Sequence, residues 1–503
     1  MRNKGKVYLV GAGPGSPDLI TLKGIKCLKQ AEVIIYDRLV NPRLLEYVPR
    51  EAELIYAGKS PKKHTLKQDE INRLLVKKAR QGKIAVRLKS GDPFLFGRGA
   101  EEALFLAKHK IPFEVVPGVS SAIAVPAYAG IPLTHRDYTS SVGIFTGHED
   151  QTKAASKIHW EKIAGLETLV FLMGVENLSQ ITKNLLAKGK PKRTPCCLIQ
   201  AGTYPGQKTI TADLITISEK AKALGLRAPA ILVVGEVVSL RKKLNWYEQK
   251  PLFGKKILIT RQAEGKNRLL ELLESYGASC AELPVIEIKP LENYDELDRV
   301  IKRIDDFHWL VFTSQNGVKF FQQRLVHLKK DARILGRIKL AVIGPRTKQA
   351  LENIGLRADL EPSQYSQEGL LGCFKKIKIR DKAILIVRAK EARDVLPLGL
   401  RKSGAEVTVV AAYKAVITQD ARRKTQDFKD IDLITFTSSS CVRNFFQTFS
   451  VKAFKKLTKK PFMASIGPAT AGSLCRLGLR ADIEAKSYTF EGLAQAIVQY
   501  YQK

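Results

Sequence analysis

The sequence lacks several patterns that would assign a protein to a class directly. Its seven cysteines form no C-x-x-C pair, and only Cys196 and Cys197 are neighbours, so neither a disulfide framework nor a cysteine zinc site is expected. The seven histidines show no metal-ligand spacing, and we predict no metal site. One long uncharged stretch, 115–134, contains three prolines and would make a poor membrane helix. A membrane partner is therefore not expected.

The start of the chain lacks the pattern of a secretory signal. An apolar, strand-like run begins within about six residues of the first methionine, and no apolar leader with a cleavage site precedes it. We therefore expect a cytoplasmic protein.

Acidic residues are few relative to basic ones. The chain has 84 Lys and Arg against 49 Asp and Glu, a net charge of +35. Such an excess is typical of nucleic-acid-binding proteins, but here it is divided evenly between the two halves, whereas a basic arm would concentrate it. We expect a lysine-rich surface with pockets for polyanionic small molecules, and no nucleic-acid partner.

Strand-like apolar runs alternate with helical patterns along the chain, which predicts an α/β protein with largely parallel sheets. At 503 residues the chain is too long for one core, so we expect three or four compact units. The main boundary is predicted after 241–247, where a charged and aromatic run is followed by proline and glycine.

Beyond that boundary the chain repeats itself at spacings of 123 to 127 residues. The segment I-L-I-T-R (257–261) recurs as I-L-I-V-R (384–388), F-T-S (312–314) as 436–438, and I-G-P (343–345) as 466–468. The period is too long for a solenoid. It predicts a duplicated α/β unit with a cleft between its copies.

The first strand-like run leads into G-A-G-P-G-S-P (11–17). A dinucleotide-binding loop needs a third glycine where this chain has Ser16, so that class of cofactor site is not expected. We predict Ser16 as the N-cap, and Pro17 as the first position, of a helix over 18–30. A second such loop, S-G-D-P-F (90–94), indicates a ligand across the strand ends, although Asp92 is also explained as a turn residue.

Six segments of the first half resemble uroporphyrinogen-III C-methyltransferase, a tetrapyrrole methylase: the opening loop, 36–40, 90–94, 116–121, 130–136 and 171–174. The resemblance assigns 1–247 to a methylase of two α/β subdomains, split near 115–120. It implies a homodimer that transfers two methyl groups from S-adenosylmethionine to C2 and C7 of uroporphyrinogen III, giving precorrin-2.

The resemblance also implies roles for individual residues. Cofactor contacts fall on Pro14, Ser90, Gly91, Asp92, Leu95, Ser120, Ser121, Met173 and Gly202. The family commonly has glycine where this chain has Ser90, and Glu-Asn where it has Gln200-Ala201. Asp37 matches a proton acceptor and Lys59 a proton donor. From the residues alone, Asp37 is also explained as a ribose ligand and Lys59 as one lysine of a basic run.

After a linker at 248–254, the repeated half resembles uroporphyrinogen-III synthase through 313–316, 343–347, Tyr413, 432–440 and 466–470. The resemblance implies two α/β domains joined by a two-stranded ladder. They are formed by 255–284 with 414–503, the chain leaving near Pro284, and by 285–413. The implied reaction closes hydroxymethylbilane with inversion of its last ring and needs no cofactor or metal.

Backbone N–H groups at four recurring helix starts of this half are predicted to hold substrate carboxylates. The candidate residues are Thr313, Ser314, Gly344, Thr437, Ser438, Ser439 and Gly467. Ordinary helix caps explain them as well. Tyr413 is the candidate acid near the leaving hydroxyl, or else a packing residue.

The whole chain is thus predicted to be a bifunctional transferase and lyase of porphyrin biosynthesis, serving sirohaem, cobalamin or another modified tetrapyrrole. Two alternatives stay open. The first half could methylate another corrinoid or a non-tetrapyrrole target, and the repeated half could be a non-catalytic ligand-binding or RNA-binding module.

Overall fold

The structure, a computed structural model, describes residues 5–58, 66–148, 158–260, 267–283, 286–417 and 430–502. The predicted proton donor Lys59 and the predicted crossing point Pro284 lie outside these residues. Contacts divide the chain into two compact units. One contains Met1–Lys256, Leu270–Cys280 and Val498–Lys503, and the other contains Ile257–Leu269 and Ala281–Ile497. The domain boundaries drawn from the sequence stay predictions.

The first half alternates strands and helices as predicted. Its strands are β1 (Lys6–Gly11), β2 (Val33–Tyr36), β3 (Glu53–Tyr56), β4 (Ile84–Lys89), β5 (Phe113–Val116), β6 (Val142–Thr146), β7 (Thr168–Leu172), β8 (Pro195–Gln200), β9 (Lys208–Asp213) and β10 (Ala230–Val234). Its helices are α1 (Leu22–Lys29), α2 (Gln68–Arg80), α3 (Gly99–Lys108), α4 (Ser121–Tyr128), α5 (Trp160–Ala164), α6 (Leu178–Ala187), α7 (Ile217–Ala223) and α8 (Arg241–Leu244).

The first sheet has the order β3-β2-β4-β1-β5, and all of its strand pairs are parallel. Apolar side chains are buried on both of its faces, as expected for a parallel sheet covered by helices. Because the strands are parallel, the loops that follow β1, β2, β4 and β5 all leave from one edge. The residues matched to the methylase family in this sheet therefore share one edge.

The second sheet corrects the prediction of largely parallel sheets. Its order is β6-β7-β10-β8-β9, and only the pair β6–β7 is parallel. Strands β8 and β9 are joined by a short loop, which suffices for antiparallel neighbours but not for a parallel crossover. Apolar runs in the sequence predict two of these strands, β7 and β10, but carry no information about their direction.

The predicted helix over 18–30 is also wrong in its start. Pro17–Leu19 forms a single 3-10 turn, and α1 begins only at Leu22. Its cap is Thr21, whose Oγ1 accepts a hydrogen bond from the N–H of Gly24 at 3.0 Å, whereas the Ser16 side chain makes no capping bond. Ile20 and Thr21 are extended, so the chain straightens before the helix starts.

The repeated half also alternates. Its strands are β11 (Lys256–Ile259), β12 (Ser279–Glu282), β13 (Ile286–Lys289), β14 (Trp309–Phe312), β15 (Lys339–Val342), β16 (Ala383–Ala389), β17 (Glu406–Ile417), β18 (Leu433–Phe436), β19 (Phe462–Ser465) and β20 (Ile483–Glu484). Its helices are α9 (Arg268–Ser275), α10 (Asp295–Lys302), α11 (Gln315–His327), α12 (Pro345–Glu352), α13 (Gln367–Phe374), α14 (Val395–Lys402), α15 (Ser439–Thr448), α16 (Val451–Lys455), α17 (Pro468–Cys475) and α18 (Phe490–Tyr501).

Two further sheets organise this half, with the orders β12-β11-β18-β19-β20 and β13-β17-β16-β14-β15. The long strand β17 has two partners. It runs parallel to β16 up to Tyr413, and from Lys414 onward it pairs with β13 in the antiparallel direction. Tyr413 therefore lies where the chain passes from the body of one sheet into a two-stranded ladder.

Two glycines, Gly11 and Gly118, allow loops of the first sheet to cross at its carboxyl edge. A Cβ atom placed on Gly118 would lie 2.3 Å from the carbonyl oxygen of Gly91 and 2.7 Å from the Cα of Gly11. A Cβ on Gly11 would in turn lie 2.5 Å from the Cα of Gly118. Because these neighbours are backbone atoms, any side chain would push the loops apart.

We predict that Gly118→Ala lowers the free energy of unfolding of the first half by about 1–3 kcal/mol, the usual effect of overpacking. Gly165→Ala is the matched control, because nothing lies within 4 Å of its added Cβ. Pulse proteolysis in urea, with peptides of each half quantified by mass spectrometry, measures both variants. Equal stability of the two variants would contradict the crossing.

Candidate active sites

The candidate cofactor site of the first half is built on paired loops. The Ala12 N–H donates to the Lys89 carbonyl at 2.7 Å, and the Gly91 N–H donates to the Gly13 carbonyl at 2.9 Å. The loop after β1 is thereby tied to the loop after β4. Gly91 has a φ of +70°, and a Cβ placed there would meet only the Ser121 backbone nitrogen, at 3.8 Å. A Cβ on Gly91 would therefore be in ordinary van der Waals contact with the start of α4.

Asp92 joins the same loops to the one after β5. Its Oδ1 accepts hydrogen bonds from the N–H groups of Phe94 and Leu95, at 2.8 and 3.1 Å. Its Oδ2 accepts from the Gly118 N–H at 2.9 Å. The carboxylate thus holds the shape of two loops, which is the turn role that the sequence left open, and Leu95 is oriented by it.

Thr203 fastens the opening loop from the side of the second sheet. Its hydroxyl donates to the Pro14 carbonyl and accepts from the Ser16 N–H at 3.0 Å. The Asn41 side chain donates to the Gly15 carbonyl at 2.8 Å from the opposite direction. Sequence reasoning missed both residues; the only signal for Thr203 was its place after Gly202.

The other predicted cofactor residues lie around α4 and the ends of the second sheet. Ser120 caps α4 by accepting from the Ala122 N–H at 3.2 Å, and Ser121 is the first residue of that helix. Gly202 packs against Val125 of α4, leaving no room for a Cβ. Met173 follows β7 with a φ of +56°, and its side chain is half exposed.

Asp37, the predicted proton acceptor, follows β2 at the same edge. Its Oδ1 lies 2.6 Å from Nη2 of Arg87, which reaches it from the neighbouring strand β4. The Asp37 side chain is 31% exposed. The structure thus places this carboxylate at the edge where the cofactor loops cross. Ser90 follows β4 there and is half-buried.

In the repeated half, the predicted acid Tyr413 contacts a predicted substrate residue. Its hydroxyl lies 2.8 Å from Oγ of Ser314, which also caps α11 by accepting from the Gly317 N–H at 3.1 Å. The ring of Tyr413 is buried and stacks on Phe320 at 5.7 Å. Burial raises the pKa of the Tyr413 hydroxyl above its usual value, so the group stays protonated at neutral pH.

The four recurring helix starts are confirmed as α11, α12, α15 and α17. In the second copy, Ser438 caps α15 by accepting from the Cys441 N–H at 3.1 Å, and its neighbour Thr437 lies 3.8 Å from the Cys441 sulfur. Ser439 donates to the carbonyl of Ala469 at 2.9 Å. The bond of Ser438 is the helix-cap role that the sequence left open.

Gly344 and Gly467 precede α12 and α17, and each faces a tyrosine from its own copy. A Cβ on Gly467 would lie 2.7 Å from the ring of Tyr488, and one on Gly344 would lie 3.4 Å from Tyr365. Thr313 directly follows β14, and its N–H donates to the Val387 carbonyl at 3.4 Å. The candidate substrate residues therefore form two similar sets.

Arg346 distinguishes the two sets and was not among the residues predicted. It is the second residue of α12, its guanidinium lies 4.0 Å from the ring centre of Phe490, and burial lowers its pKa. The corresponding residue of the repeat is Ala469. One copy thus carries a cation where the other has a methyl group.

Comparisons with known proteins support the family resemblance of each half. The sequence profile of the family "Tetrapyrrole (Corrin/Porphyrin) Methylases" matches residues 6–217, and that of "Uroporphyrinogen-III synthase HemD" matches 267–495. The "Porphyrin biosynthesis protein HemD" of Ruminiclostridium josui is 38% identical over 488 residues, covering 96% of each chain. The chain belongs to this family of fused tetrapyrrole methylases and synthases.

Some proteins are similar to the methylase half of this chain alone. The "Uroporphyrinogen-III C-methyltransferase" of Methanocaldococcus jannaschii is 52% identical over 237 residues, which cover 47% of this chain and 98% of that protein. The crystal structure of uroporphyrin-III C-methyl transferase from Thermus thermophilus, complexed with "S-adenyl homocysteine", is 42% identical. It covers 47% of this chain and 100% of that one, with a TM-score of 0.41.

Among the described residues no group of three or more His, Cys, Asp or Glu side chains is arranged to hold a metal ion. Within the same residues, no helix is both long and apolar enough to cross a membrane.

We predict that Thr203→Val weakens binding of S-adenosylhomocysteine to the methylase about 10- to 100-fold. The variant keeps the shape of the side chain but leaves the Pro14 carbonyl and the Ser16 N–H without their buried partner, a loss of about 1–3 kcal/mol. Thr203→Ser, which keeps the hydroxyl, is the control. Isothermal titration calorimetry measures the affinity. An unchanged value for the valine variant would show that the hydrogen bonds of Thr203 to the opening loop do not shape the site.

Proposed function

We propose that the second half of the chain closes hydroxymethylbilane to uroporphyrinogen III and that the first half methylates this product at C2 and C7 to give precorrin-2. The observation that carries the proposal is the match along nearly the whole chain to a fused relative. It is supported by the convergence of the paired loops, α4 and Asp37 at one edge of the first sheet.

S-adenosylmethionine would supply an electrophilic methyl group to the first half. The described residues fit such a group, because no side chain of Gly91 stands between its loop and the start of α4, and the surrounding loops are fixed by Asp92 and Thr203. Rigid loops favour catalysis by holding the reacting carbon and the methyl group in line. After transfer, the macrocycle must lose a proton from another of its atoms, and Asp37 would accept it. Lys59 remains the proposed proton donor.

The synthase half needs to remove a hydroxyl group and control where the ring closes. Tyr413 would donate its proton to that hydroxyl, which leaves as water, and Ser314 would orient the phenol. The N–H groups at the starts of α11, α12, α15 and α17 would bind carboxylates of the substrate. Arg346 adds a positive charge at one of these starts only, so the two ends of the substrate meet different surroundings.

We further infer a homodimer formed through the methylase half and a cytoplasmic location. Both substrates carry eight carboxylates, so the excess of basic residues favours their binding on electrostatic grounds.

The first experiment is an anaerobic incubation of the full chain with hydroxymethylbilane and S-adenosylmethionine, analysed by chromatography and mass spectrometry. We expect a type III product with two added methyl groups. Type III product without methyl groups would refute the methylase assignment. Only the spontaneous type I ring would refute the synthase assignment and favour a non-catalytic binding module.

We predict that Tyr413→Phe slows cyclisation about 100-fold, the low end for loss of a general acid, and leaves methylation of added uroporphyrinogen III unchanged. Tyr294→Phe is the control, because it removes a hydroxyl of the same half that accepts from the Leu291 N–H. Initial rates of uroporphyrinogen III formation measure both. A Tyr413→Phe variant as active as the control would make Tyr413 a packing residue.

A further inference from the structure

A cluster of four charged side chains lies behind the cofactor loops of the first half. It consists of Asp37 after β2, Arg87 and Lys89 on β4, and Glu102 on α3. The Arg87 side chain is 2% exposed and that of Glu102 is fully buried. Buried charges of this kind are rare unless they are paired, and only Asp37 of the four reaches the surface.

Arg87 is held by acceptors on three sides. Its Nη2 donates to Oδ1 of Asp37 at 2.6 Å, its Nε to Oε1 of Glu102 at 3.1 Å, and its Nη1 to the Ile35 carbonyl at 3.3 Å. The guanidinium is planar, so three bonds in different directions leave it one orientation. The position of the Asp37 carboxylate is therefore fixed by a buried guanidinium that has one orientation.

Glu102 anchors this arrangement. Its Oε1 accepts from Nζ of Lys89 at 2.8 Å and from the Gln68 side chain at 3.0 Å, in addition to Arg87. Its Oε2 is buried and has no hydrogen-bond partner among the described residues. One oxygen thus receives three donors, which fixes Glu102 against β4 and directs Arg87 towards Asp37.

The charges of the cluster balance when all four groups are ionised. Burial lowers the pKa of Lys89, with Arg87 lowering it further and Glu102 opposing both. A buried ionic cluster stabilises a fold little or not at all relative to packed apolar side chains. The presence of this cluster is explained if it serves the chemistry of Asp37, the one carboxylate of the four groups that reaches the surface.

We propose that Arg87 is a positioning residue for methyl transfer, fixing the Asp37 carboxylate so that its second oxygen accepts the proton from the methylated macrocycle. Glu102 holds Arg87 in that orientation. This inference rests on the proposed function, in which Asp37 is the proton acceptor. Arg87 itself contacts neither substrate nor cofactor.

The test compares Arg87→Met and Arg87→Lys with the wild type in the full-length chain. We expect Arg87→Met to lower kcat for methylation about 100-fold, while KM and the affinity for S-adenosylhomocysteine stay within about threefold, since the cofactor loops are held by other residues. Arg87→Lys keeps a positive charge next to Asp37 and is expected to recover activity to within about tenfold of the wild type.

Lys78→Met is the matched control. Lys78 lies on α2, away from the cofactor loops, and is another largely buried cation of the first half. Its Nζ lies 2.7 Å from Oε2 of Glu53. It is expected to leave methylation unchanged. The affinity for S-adenosylhomocysteine tests whether the first half of each variant is intact, and cyclisation of hydroxymethylbilane tests the second half.

The outcomes separate this inference from the proposed function. A wild-type chain without methylation, or an active Asp37→Asn variant, would refute the proposed function or the role of Asp37. With those two results as expected, an Arg87→Met variant as active as Lys78→Met would overturn the role of Arg87. Loss of S-adenosylhomocysteine binding in Arg87→Met would overturn it as well, because the residue would then support the fold.

Discussion

The close approach of three backbone segments at the carboxyl edge of the first sheet is the constraint on which the candidate methylase site depends. Because Gly11 and Gly118 have no side chain, the loops after β1 and β5 lie close to each other and to the Gly91 carbonyl of the loop after β4. In this arrangement Asp92 reaches the N–H of Gly118 and ties the loops after β4 and β5 together. A Cβ on Gly11 or Gly118 would push the loops apart.

The synthase half meets a different requirement with a duplicated unit. Each copy begins its helices with the same caps, so the two sets of N–H groups are alike. A substrate with two different ends needs the copies to differ, and they differ at a few side chains. Ser314 contacts Tyr413, whereas Ser438 contacts Cys441. Arg346 in one copy stands where Ala469 stands in the other. The duplication repeats the helix starts that we propose as carboxylate-binding sites, and these substitutions make the two copies different.

Charge enters the two halves in different ways. In the repeated half, the candidate anion-binding groups are backbone N–H groups, whose partial charges need no counter-ion. In the first half, β4 is buried yet has the sequence I-A-V-R-L-K (84–89), with two cations two residues apart and so on one face. Glu102 of α3 neutralises one of them, and Asp37 pairs with the other at the edge. Two cations in an otherwise apolar strand of a parallel sheet are the signal in the sequence for this cluster.

Local patterns predicted much of the fold correctly. Helix starts at Gln315, Pro345, Ser439 and Pro468 were predicted because caps, prolines and glycines act within three or four residues. The prediction of a helix over 18–30 is wrong at its start. Ser16 and Thr21 are both good N-cap residues, and the local sequence does not decide between them. The Ser16 N–H is held by Thr203, which is distant in the chain.

The sequence by itself determined the alternation of strands and helices, the duplication and the family of each half, because these depend on short-range patterns and on matched motifs. Only the tertiary structure decided the antiparallel pairing of β10 with β7 and β8, the hydrogen bonds of Thr203 to the opening loop, and the contacts of Arg87 with Asp37 and Glu102. Each of these depends on residues far apart in the chain, and a periodicity of two or 3.6 residues contains no information about which distant partner is met.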